Sequence, residues 1–160
     1  MLLRTRAWDI VREDFPTLRE SSSLSDAMRE LNRVSDSGCL CALVLEDSGR
    51  LKGAVSMWDT VRFMEDNLLR GTSLRGLDEN RFEQMYLNAC KVAGSTSVKE
   101  VMDADMTVVA PDEPLLSVLE EFVKKGRSYA VVKEGARVLG VIMIADIFKE
   151  ISGQIISRGR

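Results

Sequence analysis

Arg50-Leu51-Lys52-Gly53-Ala54-Val55 returns later in the chain as Arg137-Val138-Leu139-Gly140-Val141-Ile142, and this pair of stretches decides the fold. Both stretches start with a basic residue, have glycine in fourth place and end in apolar residues. The offset between them is 87, and at the same offset Asp59 falls on Asp146. Self-similarity of this kind indicates a duplicated structural unit.

The duplication extends toward the N-terminus at a slightly different offset. Asp9-Ile10-Val11 aligns with Glu100-Val101-Met102 at an offset of 91, and Leu24 falls on Leu115. The first repeat therefore has four more residues than the second. We expect them in the polar stretch 33–38, because a loop there can absorb an insertion.

Each repeat predicts the same order of elements: strand, helix, strand, strand, helix. The first repeat has a short strand at 15–18, a hairpin of 39–45 and 51–56, and a last helix from Asp59. The second has strands at 106–109, 129–132 and 138–143, a hairpin turn at 133–135, and a last helix from Asp146. The helix before each hairpin has apolar residues at a period near 3.6, and these are Ala27, Met28, Leu31 and Val34, then Leu115, Val118, Leu119, Phe122 and Val123.

These elements predict an α+β fold made of two β-α-β-β-α repeats. One unit of about 55 residues has little core of its own, so we expect the two to pack about a pseudo-twofold axis. The predicted division is repeat one at 1–69, a linker at 70–96, repeat two at 97–153 and a C-terminal tail at 154–160.

The linker has its own pattern. Residues 70–76 are typical of a loop, and Asp78 and Glu79 suit a helix start. An apolar stripe at helical spacing follows, made of Phe82, Met85, Tyr86, Ala89, Cys90 and Ala93. Two interpretations are open: a connecting helix that lies against its own module, or a helix that contributes to dimerisation.

Composition excludes several classes of function. The net charge of -3 gives no electrostatic footprint for nucleic acid. No apolar run reaches the roughly 18 residues that span a bilayer, and the start of the chain does not resemble a signal peptide. We therefore expect a cytoplasmic protein with 45% hydrophobic residues available for a packed core.

Three cysteines and no histidine restrict the chemistry further. An odd count argues against a closed disulfide framework, so Cys39, Cys41 and Cys90 are interpreted as small apolar residues of the core. If 39–45 is one strand, Cys39 and Cys41 lie on it two residues apart. Without histidine, Ser-His and Cys-His nucleophiles are excluded, and no Gly-rich phosphate loop with lysine is present. We predict no enzyme, no catalytic residues and no metal site.

At this point the chain resembles the CBS-domain family in its tandem-pair form. The resemblance runs from about Trp8 to Ile151 and is carried by the ordered set of motifs, each occurring twice. It implies a regulatory module without a cofactor of its own. Similar modules bind AMP, ATP or S-adenosylmethionine in clefts between the repeats and often form flat homodimers.

The family's ribose-binding signature is glycine, two apolar residues, Ser or Thr, two further residues, and Asp. Repeat one has it complete, from Gly53 to Asp59, whereas in repeat two Met143 stands where the hydroxyl belongs. A carboxylate can accept hydrogen bonds from both ribose hydroxyls, and a helix N-terminus favours phosphate. The alternative is that Ser56 and Asp59 only cap the helix that follows.

On this basis we predict the ligand-binding residues Thr17, Leu18, Ser56, Met57, Trp58, Asp59, Arg127 and Asp146. Thr17 stands where the family places a residue near adenine, and its counterpart in repeat two is Val108. Arg127 is either a phosphate contact or an ordinary surface arginine. Ala42 and Ala130 replace the family's usual proline, which changes the expected shape of the cleft.

Two hypotheses of function remain open. The first is a module that senses an adenine nucleotide (AMP, ADP or ATP) or S-adenosylmethionine, mainly through repeat one. The second is a protein-interaction or dimerisation module whose clefts have lost their ligand. We also expect a homodimer, since apolar residues of the two strand-following helices would otherwise face solvent. These residues are Val61, Phe63, Met64, Leu68, Ile147, Phe148 and Ile151.

Overall fold

The computed structural model describes residues 3–68 and 78–159, with the side chain of Leu68 left out. The predicted loop at 70–76 lies outside these residues. The chain divides into two compact units. The repeat-one unit comprises Pro16–Ser35 and Leu40–Ala104, and the repeat-two unit comprises Met1–Phe15, Asp36–Cys39 and Asp105–Arg160. The first residues of each repeat, 1–15 and 97–104, thus belong to the unit of the other repeat.

The elements follow the predicted order. They are α1 Ala7–Ile10, β1 Thr17–Arg19, α2 Leu24–Val34, β2 Cys41–Leu45, β3 Leu51–Ser56, α3 Met57–Leu68, α4 Glu79–Ser95, β4 Val108–Val109, α5 Leu115–Lys125, β5 Tyr129–Glu134, β6 Arg137–Met143 and α6 Ile144–Arg158. Single 3-10 turns lie at Ser35–Ser37 and Val98–Glu100.

Each unit contains one three-stranded mixed sheet. In the repeat-one unit the order is β1-β2-β3, with β1 parallel and β3 antiparallel to β2. The repeat-two unit has the same arrangement in the order β4-β5-β6. The predicted α+β class and the duplicated strand-helix-strand-strand-helix order are therefore confirmed.

Each sheet has one face covered by helices of its own unit. Because side chains alternate across a strand, every second residue enters that core. In the repeat-one unit the sheet contributes Leu18, Ala42, Val44 and Val55. In the repeat-two unit it contributes Val109, Ala130, Val132 and Ile142.

The helix after the first strand begins as its sequence predicts. Ser23 Oγ accepts from the Asp26 N–H at 3.1 Å, and the Asp26 carboxylate accepts from the Ser23 N–H at 2.9 Å. This reciprocal capping satisfies two backbone donors of the first turn. The backbone bond from Ser23 and then the side-chain bond lower the pKa of Asp26.

Several predicted boundaries shift by a few residues. The short strands form over Thr17–Arg19 and Val108–Val109, later than predicted, because their parallel partners lie further along β2 and β5. The first hairpin strand begins at Cys41, not Cys39. β5 continues through Glu134, since the turn needs only Gly135, at positive φ, and Ala136. The last helix continues through Arg158, so most of the predicted tail is helical.

The predicted apolar faces are partly right. Leu115, Val118 and Phe122 are buried as expected, but Val123 is 75% exposed, because it lies on the opposite side of α5. Ile147 was predicted on an apolar face that would be exposed to solvent in a monomer, but it is 1% exposed and lies in the core. Phe63, Met64 and Ile151 are partly buried against the cores.

The linker helix α4 packs against α2 and α3 within its own unit. Ala93 is buried, and Ser25 Oγ donates to the Gly94 carbonyl at 3.1 Å. This confirms a connecting helix that lies against its own module. At the other end of the same stripe, Phe82 is 42% and Tyr86 48% exposed, so the dimerisation interpretation stays open.

None of the three cysteines forms a disulfide bond. Cys39 and Cys41 are fully buried, and Cys90 is half-buried. The prediction that the first two act as core residues is confirmed. Cys39 precedes β2, so the expectation that it lies on one strand with Cys41 is wrong.

Candidate functional site

The complete signature forms the junction of β3 and α3. Ser56 ends the strand, and its N–H and its hydroxyl donate to Asp59 Oδ2 at 2.8 and 2.9 Å. In return, the Asp59 N–H donates to Ser56 Oγ at 3.1 Å. The helix-capping interpretation is therefore confirmed as an interaction.

Capping uses one oxygen of the Asp59 carboxylate. Asp59 Oδ1 has no hydrogen-bond partner among the described residues, and the side chain is half-buried. An ionised carboxylate offers about four acceptor positions, so Oδ1 can still accept from sugar hydroxyls. Capping and ligand binding are compatible at this residue.

The second signature differs in more than its missing hydroxyl. Asp146 Oδ2 accepts from the Met143 N–H at 3.0 Å, which leaves only half of the capping exchange. The same carboxylate is held by Arg12: Nε donates to Oδ2 at 2.8 Å and Nη2 to Oδ1 at 2.7 Å. The two side chains are only 18% and 14% exposed. Both oxygens of Asp146 are thus engaged within the protein.

Sequence reasoning missed Arg12, although the repeat alignment contained the signal. At the offset that aligns residues 9–11 with 100–102, Arg12 falls on Asp103. The charge at this position is therefore inverted between the repeats.

Thr17 and Leu18 lie on opposite faces of the first sheet. Thr17 pairs with Leu43, which pairs with Ala54, and Ser56 pairs with Cys41, so all five side chains share one face. The structure thus places Thr17 and Ser56 on the same face, with the central strand β2 between them. Leu18 points the other way into the core, so its side chain is not available to a ligand.

The remaining predicted residues of this unit lie in the first turn of α3. The Met57 N–H donates to the Leu40 carbonyl at 2.9 Å, and its side chain packs against the core. Trp58 is 68% exposed. An aromatic side chain with that exposure beside Asp59 offers a flat apolar surface on which a planar base can stack.

Arg127 belongs to the repeat-two unit, where it follows α5. Its Nη2 donates to the Asp105 carbonyl at 2.7 Å, and its N–H donates to the Phe122 carbonyl at 3.0 Å. The residue is half-buried, and the alternative of a surface arginine stays open. Its role as a phosphate contact stays a prediction.

The strand register supports the alignment of the short strands. Thr17 pairs with Leu43 as Val108 pairs with Val131, and the carbonyls of Pro16 and Thr107 accept equivalent hydrogen bonds from the N–H groups of Leu43 and Val131. Val108 therefore stands in the place of Thr17. Thr107 is 3% exposed, and its hydroxyl has no partner among the described residues.

The glycines of both signatures have a structural role. Gly140 lies where the backbone of Arg12 crosses β6, and a Cβ there would collide with the Arg12 carbonyl oxygen. At Gly53 a Cβ would stand 2.9 Å from the Asp103 carbonyl oxygen. Close backbone approach, rather than ribose contact, explains why glycine stands at both positions.

A duplicated α+β unit with a Gly-to-Asp signature at each strand-helix junction defines the class of protein, which is a tandem pair of related modules. A family model for the CBS domain matches residues 7–66 and 98–153, and the chain therefore belongs to the CBS domain family. Proteins with such pairs are generally regulatory. A comparison with curated proteins found no match.

Solved structures share the fold at low sequence identity. The acetoin utilization protein AcuB from Vibrio cholerae is 20% identical with a TM-score of 0.67, over 96% of this chain and 93% of that one. The CBS domain pair of protein MJ0100, solved with 5'-methylthioadenosine and S-adenosyl-L-methionine, is 18% identical with a TM-score of 0.66, over 94% and 98%.

The cytosolic domain of the Mg2+ channel MgtE, solved with ATP, is 17% identical with a TM-score of 0.62, over 91% of this chain and 48% of that one. Within residues 3–68 and 78–159, no helix combines the length and the apolar character that crossing a membrane requires. Over the same residues, no cluster of acidic and cysteine side chains is suited to hold a metal ion.

Proposed function

We propose that this chain is a cytoplasmic regulatory module that binds an adenine nucleotide or S-adenosylmethionine, mainly through Ser56 and Asp59 of the first repeat. The observation that carries the proposal is the unengaged Oδ1 of Asp59, set at a strand end beside a helix N-terminus. In the second repeat the equivalent carboxylate is held by Arg12.

Three further features support this assignment. Thr17 lies on the same sheet face as Ser56, and Asp59 lies in the first turn of the helix that begins where the strand of Ser56 ends. Trp58 offers an exposed ring at the same helix start. Related structures of the same fold were solved with adenosyl ligands or ATP. In this proposal Leu18 contributes packing beneath Thr17, and Asp146 contributes little to binding.

The decisive variant is Asp59→Asn. Its single carbonyl oxygen can still accept the Ser56 N–H, so the cap is preserved, but the second carboxylate oxygen becomes an NH2 group that cannot accept a hydroxyl. We expect unchanged thermal stability without ligand and a tenfold to hundredfold loss of affinity, the scale of about 1.5 to 3 kcal/mol for hydrogen bonds to charged groups.

Calorimetry with AMP, ADP, ATP and S-adenosylmethionine measures the affinity, and Asp146→Asn is the matched control in the other repeat. Binding that survives Asp59→Asn and disappears in Asp146→Asn would place the ligand at the second signature. If wild type binds none of the four at millimolar concentration, the sensing function is refuted.

The second candidate function is an interaction or dimerisation module. One specific observation favours it: α6 presents Ile144, Phe148 and Ile155 on a single stripe, 45%, 68% and 67% exposed. A stripe of this size is unusual for a solvent-facing helix. We infer a homodimer that covers it, a state compatible with ligand binding. The regulated effector is not identified by these features.

A further inference from the structure

Two backbone hydrogen bonds fix the position of Arg12, in addition to the bonds of its side chain. Its N–H donates to the Val141 carbonyl at 2.8 Å, and its carbonyl accepts from the Val141 N–H at 3.1 Å. The residue thus forms a one-residue bridge on the outer edge of β6. Gly140 permits this approach, because any side chain there would collide with Arg12.

From this bridge the guanidinium reaches Asp146. It binds both carboxylate oxygens in the two-pronged geometry that suits arginine and carboxylate. Nη1 of the same group donates to the Ser37 carbonyl. All of these partners belong to the repeat-two unit. They fix the guanidinium against the carboxylate that the ribose signature presents.

A ribose diol must compete with this arrangement. Two hydroxyls need two acceptor positions on one carboxylate, but Oδ2 of Asp146 already accepts from Arg12 and from the Met143 N–H. Oδ1 accepts from Arg12 at 2.7 Å. A diol could bind only after the guanidinium has left, and its departure would leave a poorly solvated charge without its partner.

The repeat-one unit has the same bridge with the opposite charge. The Ala54 N–H donates to the Asp103 carbonyl at 3.0 Å, and the Asp103 N–H donates to the Ala54 carbonyl at 2.8 Å. Ala54 is the counterpart of Val141, and Asp103 is therefore the counterpart of Arg12. An acidic side chain cannot pair with Asp59, which keeps its Oδ1 available.

We propose that the residue at this edge bridge decides which signature is open to a nucleotide. Arg12 occupies the second signature as an internal substitute for the ligand, and Asp103 leaves the first signature open. The proposal builds on the proposed function and adds a specificity-determining residue that lies outside the signature itself.

The test restores the second site in two steps. Met143→Ser supplies the missing hydroxyl while Arg12 stays in place, and we expect the same stoichiometry as wild type. Arg12→Ala with Met143→Ser also frees the carboxylate, and we expect one additional AMP or S-adenosylmethionine bound per chain. Adding Asp146→Asn to that double variant should remove the gained site. Calorimetry measures the stoichiometry, and circular dichroism confirms folding.

A second test is made in repeat one and leaves the ion pair between Arg12 and Asp146 intact. Asp103→Arg places a guanidinium on the bridge beside Asp59, and we expect AMP affinity at the first signature to fall about tenfold to hundredfold. Asp103→Ala is the matched control, with affinity within about threefold of wild type. If Arg12→Ala does not fold, Asp103→Arg still tests whether the residue on the bridge controls access to the signature.

Two results would overturn the proposal: a second nucleotide bound by Met143→Ser with Arg12 intact, or wild-type affinity in Asp103→Arg. These results differ from a failure of the proposed function, which is an absence of binding in wild type. A wild type that binds nothing, with a double variant that binds one nucleotide, would support the role of Arg12 and refute sensing by the first signature.

Discussion

Truncation of Asp146 should mainly lower the stability of the protein, whereas truncation of Asp59 should mainly lower its affinity for the ligand. Asp146→Ala removes three hydrogen bonds and leaves the Arg12 guanidinium, 18% exposed, without its counter-ion. Breaking a buried pair from one side costs about 3 to 5 kcal/mol. This pair keeps some solvent contact and Arg12 retains the Ser37 carbonyl, so we take the lower end, about 3 kcal/mol.

Asp59→Ala removes a helix cap and no ion pair. Loss of a capping side chain costs about 1 kcal/mol. For a chain of this size each kcal/mol corresponds to a change in Tm of roughly 2–4 °C. We therefore expect Asp146→Ala to lower Tm by about 6–12 °C and Asp59→Ala by about 2–4 °C.

The two variants should rank in the opposite order when ligand affinity is measured. Asp59→Ala is expected to lose tenfold to hundredfold in affinity for AMP or S-adenosylmethionine, whereas Asp146→Ala changes it little. Urea denaturation followed by circular dichroism gives the free energy of unfolding, and calorimetry well below the Tm gives the affinity. An Asp146→Ala variant as stable as wild type would refute the interpretation of the ion pair.

Four further outcomes are expected. A saturating adenine ligand, at 100 times its Kd, should add about 2.7 kcal/mol of stability and raise Tm by roughly 5–10 °C in a thermal-shift assay; no shift counts against sensing. Gly140→Ala should destabilise by about 1–3 kcal/mol through its collision with the Arg12 carbonyl, while Gly153→Ala, with nothing within 4 Å in α6, should be neutral or stabilising by urea denaturation. Light scattering should give twice the chain mass of 17.9 kDa, and Phe148→Asp should restore the monomer; a wild-type monomer at high concentration contradicts this. Because folding lowers the pKa of Asp26, its stabilisation is present above the ordinary value of 3.8 and is lost as pH falls through the folded value; Ser23→Ala keeps the backbone bond but removes the side-chain bond, so by urea denaturation it should lose less stability than wild type as pH falls below 3.8.

The fold was predictable because the sequence contains the same pattern of elements twice. Apolar residues at a helical period, the acidic and glycine turns, and the two copies of the strand motif all predict the same elements, and the structure has them in that order. The boundaries shifted where long-range pairing decides them. β1, for example, covers Thr17–Arg19 because its parallel partner on β2 begins at Leu43. Local sequence contains no information about that partner.

The candidate site was predictable only in part, for a related reason. Ser56 and Asp59 are three residues apart, so their contact follows from local spacing at a helix start. The contact between Arg12 and Asp146 joins residues 134 apart in sequence, through a backbone bridge that no local pattern predicts. The same local motif therefore gives one carboxylate with a free oxygen and one with none.

The two glycines show how a signature can serve two purposes at once. Gly53 and Gly140 each permit another backbone segment of the same unit to cross the strand closely, and that crossing brings the backbone of Asp103 or Arg12 against the signature. In our proposal, the residue on the bridge therefore acts on the signature aspartate of the same unit. When that residue is acidic, as in Asp103, the carboxylate keeps an acceptor available for ligand hydroxyls. When it is arginine, as at Arg12, the signature aspartate forms an ion pair, and in our proposal the signature then stabilises the protein in place of binding a ligand.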